Sequence, residues 1–173
     1  MWFKEAIEVV LKHEGGFVDD PDDPGGTTKY GVSLRWLKSA DIDIDGNGAI
    51  DSLDVKGLTL EKAKKLYKDR WWIPHAYGDI QKKRIAIKVF DTAINMGSNR
   101  ANKILQRSLT ISGYPTKVDG IIGHRTLHSV EEANENLVLG AFRALQWCFY
   151  QELIRRKPVM AKYEKGWTKR AYS

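Results

Sequence analysis

With a single cysteine, Cys148, the chain cannot form an internal disulfide. Its 173 residues must therefore be held by a buried core, and that length suffices for one ordinary domain. The shortage of cysteine fits synthesis in a reducing cytoplasm. Cys148 lies among Trp147, Phe149 and Tyr150 in a helical stretch and reads as a buried thiol. No apolar run approaches the ~20 residues that span a bilayer, so no stable membrane association is expected. The segment Met1–Glu5 has no basic stretch leading into an apolar one, and Val9, Val10 and Leu11 are too few to make one. No secretory signal is therefore expected. Repeats, linkers and low-complexity segments are missing, and strand-like alternation is scarce. The net charge of +6 and pI of about 9.3 favour polyanions. Basic clusters at 62–68, 82–84 and 155–157 carry part of that charge, although solvated helix faces account for most such lysines. No helix-turn-helix, zinc or RNA-recognition signature accompanies it, so nucleic acid is not the expected partner.

What the chain does have is helical periodicity. Phe3, Ile7, Val10, Leu11 and Glu14 share one stripe, so residues 2–14 form an amphipathic helix stopped by Gly15-Gly16. Residues 15–31 are rich in Asp, Pro and Gly and read as a loop, with room for a short hairpin within 17–32. Ser33 can cap a helix through Ala40, and Thr59 one with Ala63, Leu66, Tyr67, Arg70 and Trp71 on its face, ending near Pro74. A buried helix over 82–96 (Ile87, Phe90, Ile94) ends at Gly97, and another follows from Ser98 or Asn99. After a turn-rich stretch at 112–123, the chain is helical from Arg125 to Lys157, broken near Asn134. The expected fold is all-α, with a short β-hairpin after the first helix. It forms one domain, 1–173, with lobes 1–97 and 98–173.

Glu14 is the candidate acid. Its stripe turns the carboxyl toward the core side, and the last helical turn is the negative end of the macrodipole. Both features favour the protonated form. A carboxylic acid still protonated near neutral pH can donate to a glycosidic oxygen. Gly15-Gly16 would let a bulky sugar chain approach. Downstream, Asp19, Asp20, Asp22, Asp23, Thr27 and Thr28 offer carboxylates and hydroxyls to position a water or stabilise an oxocarbenium-like transition state. Spacing alone leaves open a plain helix end followed by a solvated turn.

Glu14-Gly15-Gly16-Phe17, then Asp23-Pro24-Gly25-Gly26-x-Thr28-x-x-Gly31, resembles the N-terminal signature of the glycoside hydrolase 108 family of phage and bacterial N-acetylmuramidases. Phe17 stands where that family usually has Tyr. Further blocks follow in order: Leu58-Thr59 with Ala63, Tyr67 and Trp72, then Phe90-Asp91-x-Ala93-x-Asn95-x-Gly97. Leu105-Gln106 and Val118-Asp119-Gly120-x-x-Gly123-x-x-Thr126-Leu127 resemble the attached peptidoglycan-binding-type region, and Gly166-Trp167-x-x-Arg170 its ending. The resemblance implies a lysozyme-like helical fold and cleavage between N-acetylmuramic acid and N-acetylglucosamine. Glu14 matches the catalytic Glu. Asp23 and Thr28 match motif positions and are expected to assist catalysis, while Tyr30, Trp72 and Asn95 are expected to touch substrate. Asp91 and Asn95, one helical turn apart, also read as a hydrogen-bonded core pair. The 118–126 stretch reads either as a wall-binding element or as a tight turn.

Asp43-Ile44-Asp45-Gly46-Asn47-Gly48-Ala49-Ile50-Asp51-Ser52-Leu53-Asp54 fits an EF-hand-type calcium loop. Asp43, Asp45 and Asn47 stand at positions 1, 3 and 5, and Gly48 at the turn position 6. Ala49 offers a carbonyl at position 7, and Asp51 can act through water. Position 12 is Asp54 rather than Glu, as in dockerin-type loops. One structural Ca²⁺ on Asp43, Asp45, Asn47, Ala49 and Asp54 is expected; an acidic turn without metal is the plainer reading. With one such loop and no apolar target groove, neither a sensor nor a paired dockerin module is expected.

Together these features predict a monomeric peptidoglycan hydrolase of endolysin type. It would be made in the host bacterial cytoplasm and act on the wall after release. A non-catalytic peptidoglycan-binding module and a lytic transglycosylase using the same Glu remain open at this stage, as does the stereochemical course.

Overall fold

The computed structural model describes residues 1–14 and 28–173. The order is α1 (Phe3–Glu14), β1 (Thr28–Lys29), β2 (Val32–Ser33), α2 (Leu34–Ala40), α3 (Ser52–Gly57) and α4 (Leu60–Tyr67), which runs into a π-helical turn at Lys68–Trp72. After a 3-10 turn at Tyr77–Asp79 come α5 (Lys83–Met96), α6 (Ser98–Ile111), α7 (His124–Glu132) and α8 (Glu135–Arg156). A 3-10 segment, Pro158–Tyr163, leads into α9 (Glu164–Tyr172). The fold is all-α, and β1 and β2 form the expected small hairpin. No described helix is long and apolar enough to cross a membrane.

The chain packs as two units, Met1–Ala6 with Trp71–Ser173, and Ile7–Arg70. This differs from the expected lobes 1–97 and 98–173, because α5 packs on α6 within one unit.

In the 7–70 unit, caps set the helix starts. The Ser33 hydroxyl accepts the amide of Trp36, and the Thr59 hydroxyl that of Lys62, as the sequence predicts. α3 is the unpredicted helix. Asp51 caps it by accepting the Leu53 amide, while Asp54 at its third position reaches back to the Asp51 amide. This capping box lies inside what reads in sequence as an acidic loop.

The larger unit is built on α5, α6 and α8. α8 buries Val138, Leu139, Phe142, Gln146 and Tyr150, a single stripe of three- and four-residue steps. Cys148 falls off that stripe and is exposed, contrary to the buried thiol expected from its aromatic neighbours. Trp72 is also displaced from its expected role. The π turn adds a residue to the helical period, so Trp72 rather than Trp71 points inward, and its ring is 3% exposed. It packs edge-on against Phe3 and Phe90 at centroid distances of 5.5 and 5.0 Å, and a ring buried this way offers no face to a sugar.

Asp91 and Asn95 do not act as a pair buttressing one another; each pairs with a different helix. The Arg170 fork donates from Nε and Nη2 to the two Asp91 oxygens at 3.1 and 2.9 Å, with both residues buried. Tyr150 donates its hydroxyl to Asn95 Oδ1 at 2.7 Å and stacks on Trp167 at 4.9 Å. The Gly166-Trp167-x-x-Arg170 ending is thus what fastens α9 to the core. The 118–123 stretch leading into α7 is likewise held by side chains of α6. Gln106 donates to Asp119 Oδ1 and the Ile121 carbonyl and accepts the Gly120 amide, while Asn102 donates to the Gly120 carbonyl. Gly120 has φ +85°, and a Cβ there would lie 2.5 Å from Asn99 Nδ2, so a larger residue would be strained and would displace the Asn99 side chain.

Candidate active site

Glu14 is the last residue of α1 and is half-buried, on the face that also carries the buried Ile7 and Val10. The hairpin packs against it. Thr28 pairs with Ser33 and Lys29 with Val32, which leaves Tyr30-Gly31 as a two-residue connection. Both have positive φ, +52° and +76°, the pattern of a type I′ turn, whose twist matches that of the strands. Such a φ is ordinary for glycine and costs a tyrosine roughly 1–2 kcal/mol. The turn is held by Tyr67 of α4, whose hydroxyl donates to the Tyr30 carbonyl at 2.9 Å. Tyr67 itself is 2% exposed, so its position is fixed by packing.

Gly31 is where the backbone comes closest. A Cβ built on it would lie 2.8 Å from Glu14 Cγ and 2.5 Å from the Tyr67 hydroxyl. The backbone of the turn therefore bears directly on the Glu14 side chain and limits where its carboxyl can swing. Gly31→Ala should push this contact apart and strain the φ. Since a displacement of about 1 Å at a reacting group can cost roughly a hundredfold in rate, turnover is expected to fall by about that factor. Circular dichroism should still report a helical protein. Turnover within threefold of wild type would show that the turn does not position the acid.

Of the expected site residues, Glu14, Thr28 and Tyr30 fall in this one unit, on α1 and the hairpin. Asp23 lies outside the described residues, as do Asp19, Asp20 and Asp22. Trp72 and Asn95 belong to the other unit, where Trp72 is core and Asn95 is held by Tyr150. Tyr67 is a contributor that the sequence marks only as part of a helix face and of a family block, with no site role attached.

The sequence model of the family Glycosyl hydrolase 108 matches residues 7–97, and that of a family described as Predicted Peptidoglycan domain matches 100–172. The chain belongs to the glycosyl hydrolase 108 family. The first match spans Glu14, the hairpin and Tyr67, and makes this glycosyl hydrolase 108 protein a glycoside hydrolase; the second ties it to peptidoglycan. Among solved structures it is similar to SagA of Brucella abortus, with 29% identity and a TM-score of 0.77 over 98% of this chain and 88% of that chain. A comparison with curated proteins gives no match. The boundary between the two family matches, near residue 98, differs from the packing boundary at Arg70–Trp71.

The calcium-type loop of this glycosyl hydrolase 108 protein lies in the same unit as Glu14. Carboxylate oxygens of Asp43, Asp45 and Asp54 come within 4.8 Å of one another. Gly48 has φ +87°, the left-handed turn its position needs. Asp43 accepts the amides of Gly46 and Gly48, and these bonds, Gly48 first, hold its carboxyl below the usual range. Asp54, fully buried, accepts the amides of Ile44 and Asp51 and so closes the loop on itself. Each carboxylate oxygen has two lone pairs, so these bonds leave acceptor capacity for a cation. They also satisfy the loop by themselves.

Proposed function

We propose that the chain is an N-acetylmuramidase of endolysin type, a monomer that hydrolyses the bond between N-acetylmuramic acid and N-acetylglucosamine. The observation that carries this reading is the fixed position of Glu14 at the end of α1, with the Tyr30-Gly31 turn locked against it by Tyr67. In this reading Glu14 gives its proton to the glycosidic oxygen as the bond to the anomeric carbon breaks. Water adds to the anomeric carbon and its proton passes to a base. Asp23 and Thr28 are the proposed groups that orient that water, and Tyr30 the proposed sugar contact. Purified sacculi incubated with the protein are expected to release soluble muropeptides bearing new reducing ends. Sacculi left intact under all conditions would refute the reading.

A second proposal concerns the loop: Asp43, Asp45, Asn47, the Ala49 carbonyl and Asp54 bind one structural Ca²⁺. It is favoured by the convergence of three carboxylates around a Gly48 turn, at the start of a helix. Lys62 donates to the Ile44 carbonyl and Lys29 to the Lys56 carbonyl, so the loop and α3 are tied to α4 and to the hairpin. Binding to the folded state alone contributes about 2.7 kcal/mol when free calcium is a hundred times its dissociation constant. In a domain of this size that corresponds to a melting shift of roughly 5–10 °C. Chelator should lower the melting temperature by that amount, calcium should restore it better than magnesium, and Asp43→Ala should remove the difference. Identical melting with and without calcium, and no bound ion by mass analysis, would leave an acidic turn.

A further inference from the structure

α6 buries Ala101, Leu105, Ser108 and Leu109 and turns Arg100, Lys103 and Arg107 outward, at spacings of three and four residues. These cations rim a groove of about 530 Å³ between α6 and α8 whose apolar side is formed by Ile104, Leu145 and Phe149. That volume lies within the range of roughly 300–1,000 Å³ typical of ligand sites. No Asp or Glu is among the lining residues. The Arg100 guanidinium lies 4.4 Å from the centre of the Phe149 ring, and its Nη1 donates to the Met96 carbonyl at 3.2 Å. Its plane is thereby held while the rest of its fork stays available. Neither Lys103 nor Arg107 is ion-paired with a described residue, although other basic side chains such as Lys83, Arg155 and Arg156 are. A solvated helix face would present the same charges on a convex surface. Here they line the α6 side of a concavity with an apolar flank, which concentrates their field on whatever enters.

We propose that this groove binds the carboxylate-bearing peptide stems of peptidoglycan, with Arg100, Lys103 and Arg107 pairing to their carboxylates. The inference rests on the peptidoglycan reading and deepens it by naming the part of the polymer recognised. The glycan backbone is neutral where the lactyl group carries peptide, so it offers these cations no counter-charge. The stems carry the carboxylates, and Arg and Lys are matched to them by charge and, for Arg, by bidentate geometry. The apolar side suits their short aliphatic side chains. Its three cations and its apolar side lie within the segment matched by the peptidoglycan family, 100–172, while Met96, Gly97, Ser98 and Asn99 of the lining precede it.

The test is co-sedimentation of the full chain carrying Glu14→Gln, which keeps the walls from being digested, with three kinds of sacculi: native, amidated on their carboxyl groups, and stripped of phosphate polymers. K103E/R107E in that background should weaken binding to native sacculi by about tenfold or more. Amidation should weaken binding of the parent to the same extent and add no further loss to the double variant. Phosphate stripping should change nothing. K38E/K165E, the same charge change at exposed sites outside the groove, should bind within threefold of the parent. Equal binding to native and amidated walls, or equal loss in K38E/K165E, would overturn the proposal, and loss on phosphate stripping would assign the groove to phosphate polymers. If K103E/R107E does not fold by circular dichroism, K103Q/R107Q and the parent on amidated walls decide the question. A wild-type chain that neither binds nor cuts any sacculus would instead sink the peptidoglycan reading itself.

Discussion

Glu14→Gln is expected to remove wall lysis almost completely while leaving the melting temperature within a few degrees of wild type. Gln has the shape of Glu and fits the same half-buried place at the end of α1, beside Gly31. It has no transferable proton. General acid catalysis contributes about 10²–10⁴-fold, and the loss in turnover should fall in that range. Substrate binding should persist, so the loss should appear in kcat rather than KM. Activity within tenfold of wild type, measured on purified sacculi, would remove Glu14 from the chemistry.

Asp91→Ala should have the largest effect on stability. The Asp91 carboxylate receives the Arg170 fork in a site where the two residues are 1% and 7% exposed. Removing the acid takes one partner from a buried guanidinium, and breaking a buried ion pair in this way costs about 3–5 kcal/mol. For a chain of this length that corresponds to roughly 6–20 °C in melting temperature. The pair joins α5 to α9, and Lys88 adds to the same contact by donating to the Arg170 and Ala171 carbonyls at the end of α9. α9 should therefore lose amide-exchange protection first. Arg170→Met, which removes the charge and keeps the bulk, should cost less than Asp91→Ala. A melting shift under 3 °C for Asp91→Ala would show that the pair is not holding α9.

The boundaries legible in the sequence are those written by neighbouring residues. Ser33, Thr59 and Asn134 each cap a helix through an amide two or three residues on, and Gly97 ends α5 with φ +89°. Glu14 is legible because its stripe and the helix end lie within one segment of 12 residues. What escaped depends on distance along the chain. Arg170 meets Asp91 across 79 positions, and Tyr67 meets the Tyr30 carbonyl across 37. α9 contains Gly166, a poor helix former, and is held by the packing of Trp167 and Arg170 rather than by propensity. α3 is hidden because the aspartates that cap it also read as metal ligands. Cys148 and Trp72 were misplaced because composition and an unbroken 3.6-residue period do not register a side chain two steps off the buried stripe or a π turn.

Under the proposed function, Glu14 is a glycan-cleaving acid that cuts peptidoglycan by hydrolysis, on the muramic acid side. Mass spectrometry of sacculi digested by the wild-type chain tests it most directly. The account predicts soluble disaccharide-peptides ending in a reducing N-acetylmuramic acid, each carrying the mass of one added water, and none from the Glu14→Gln variant. Products ending in 1,6-anhydro-muramic acid would make the same residue a transglycosylase acid. Fragments with reducing N-acetylglucosamine ends, or intact glycan strands with only peptide bonds cut, would contradict the account.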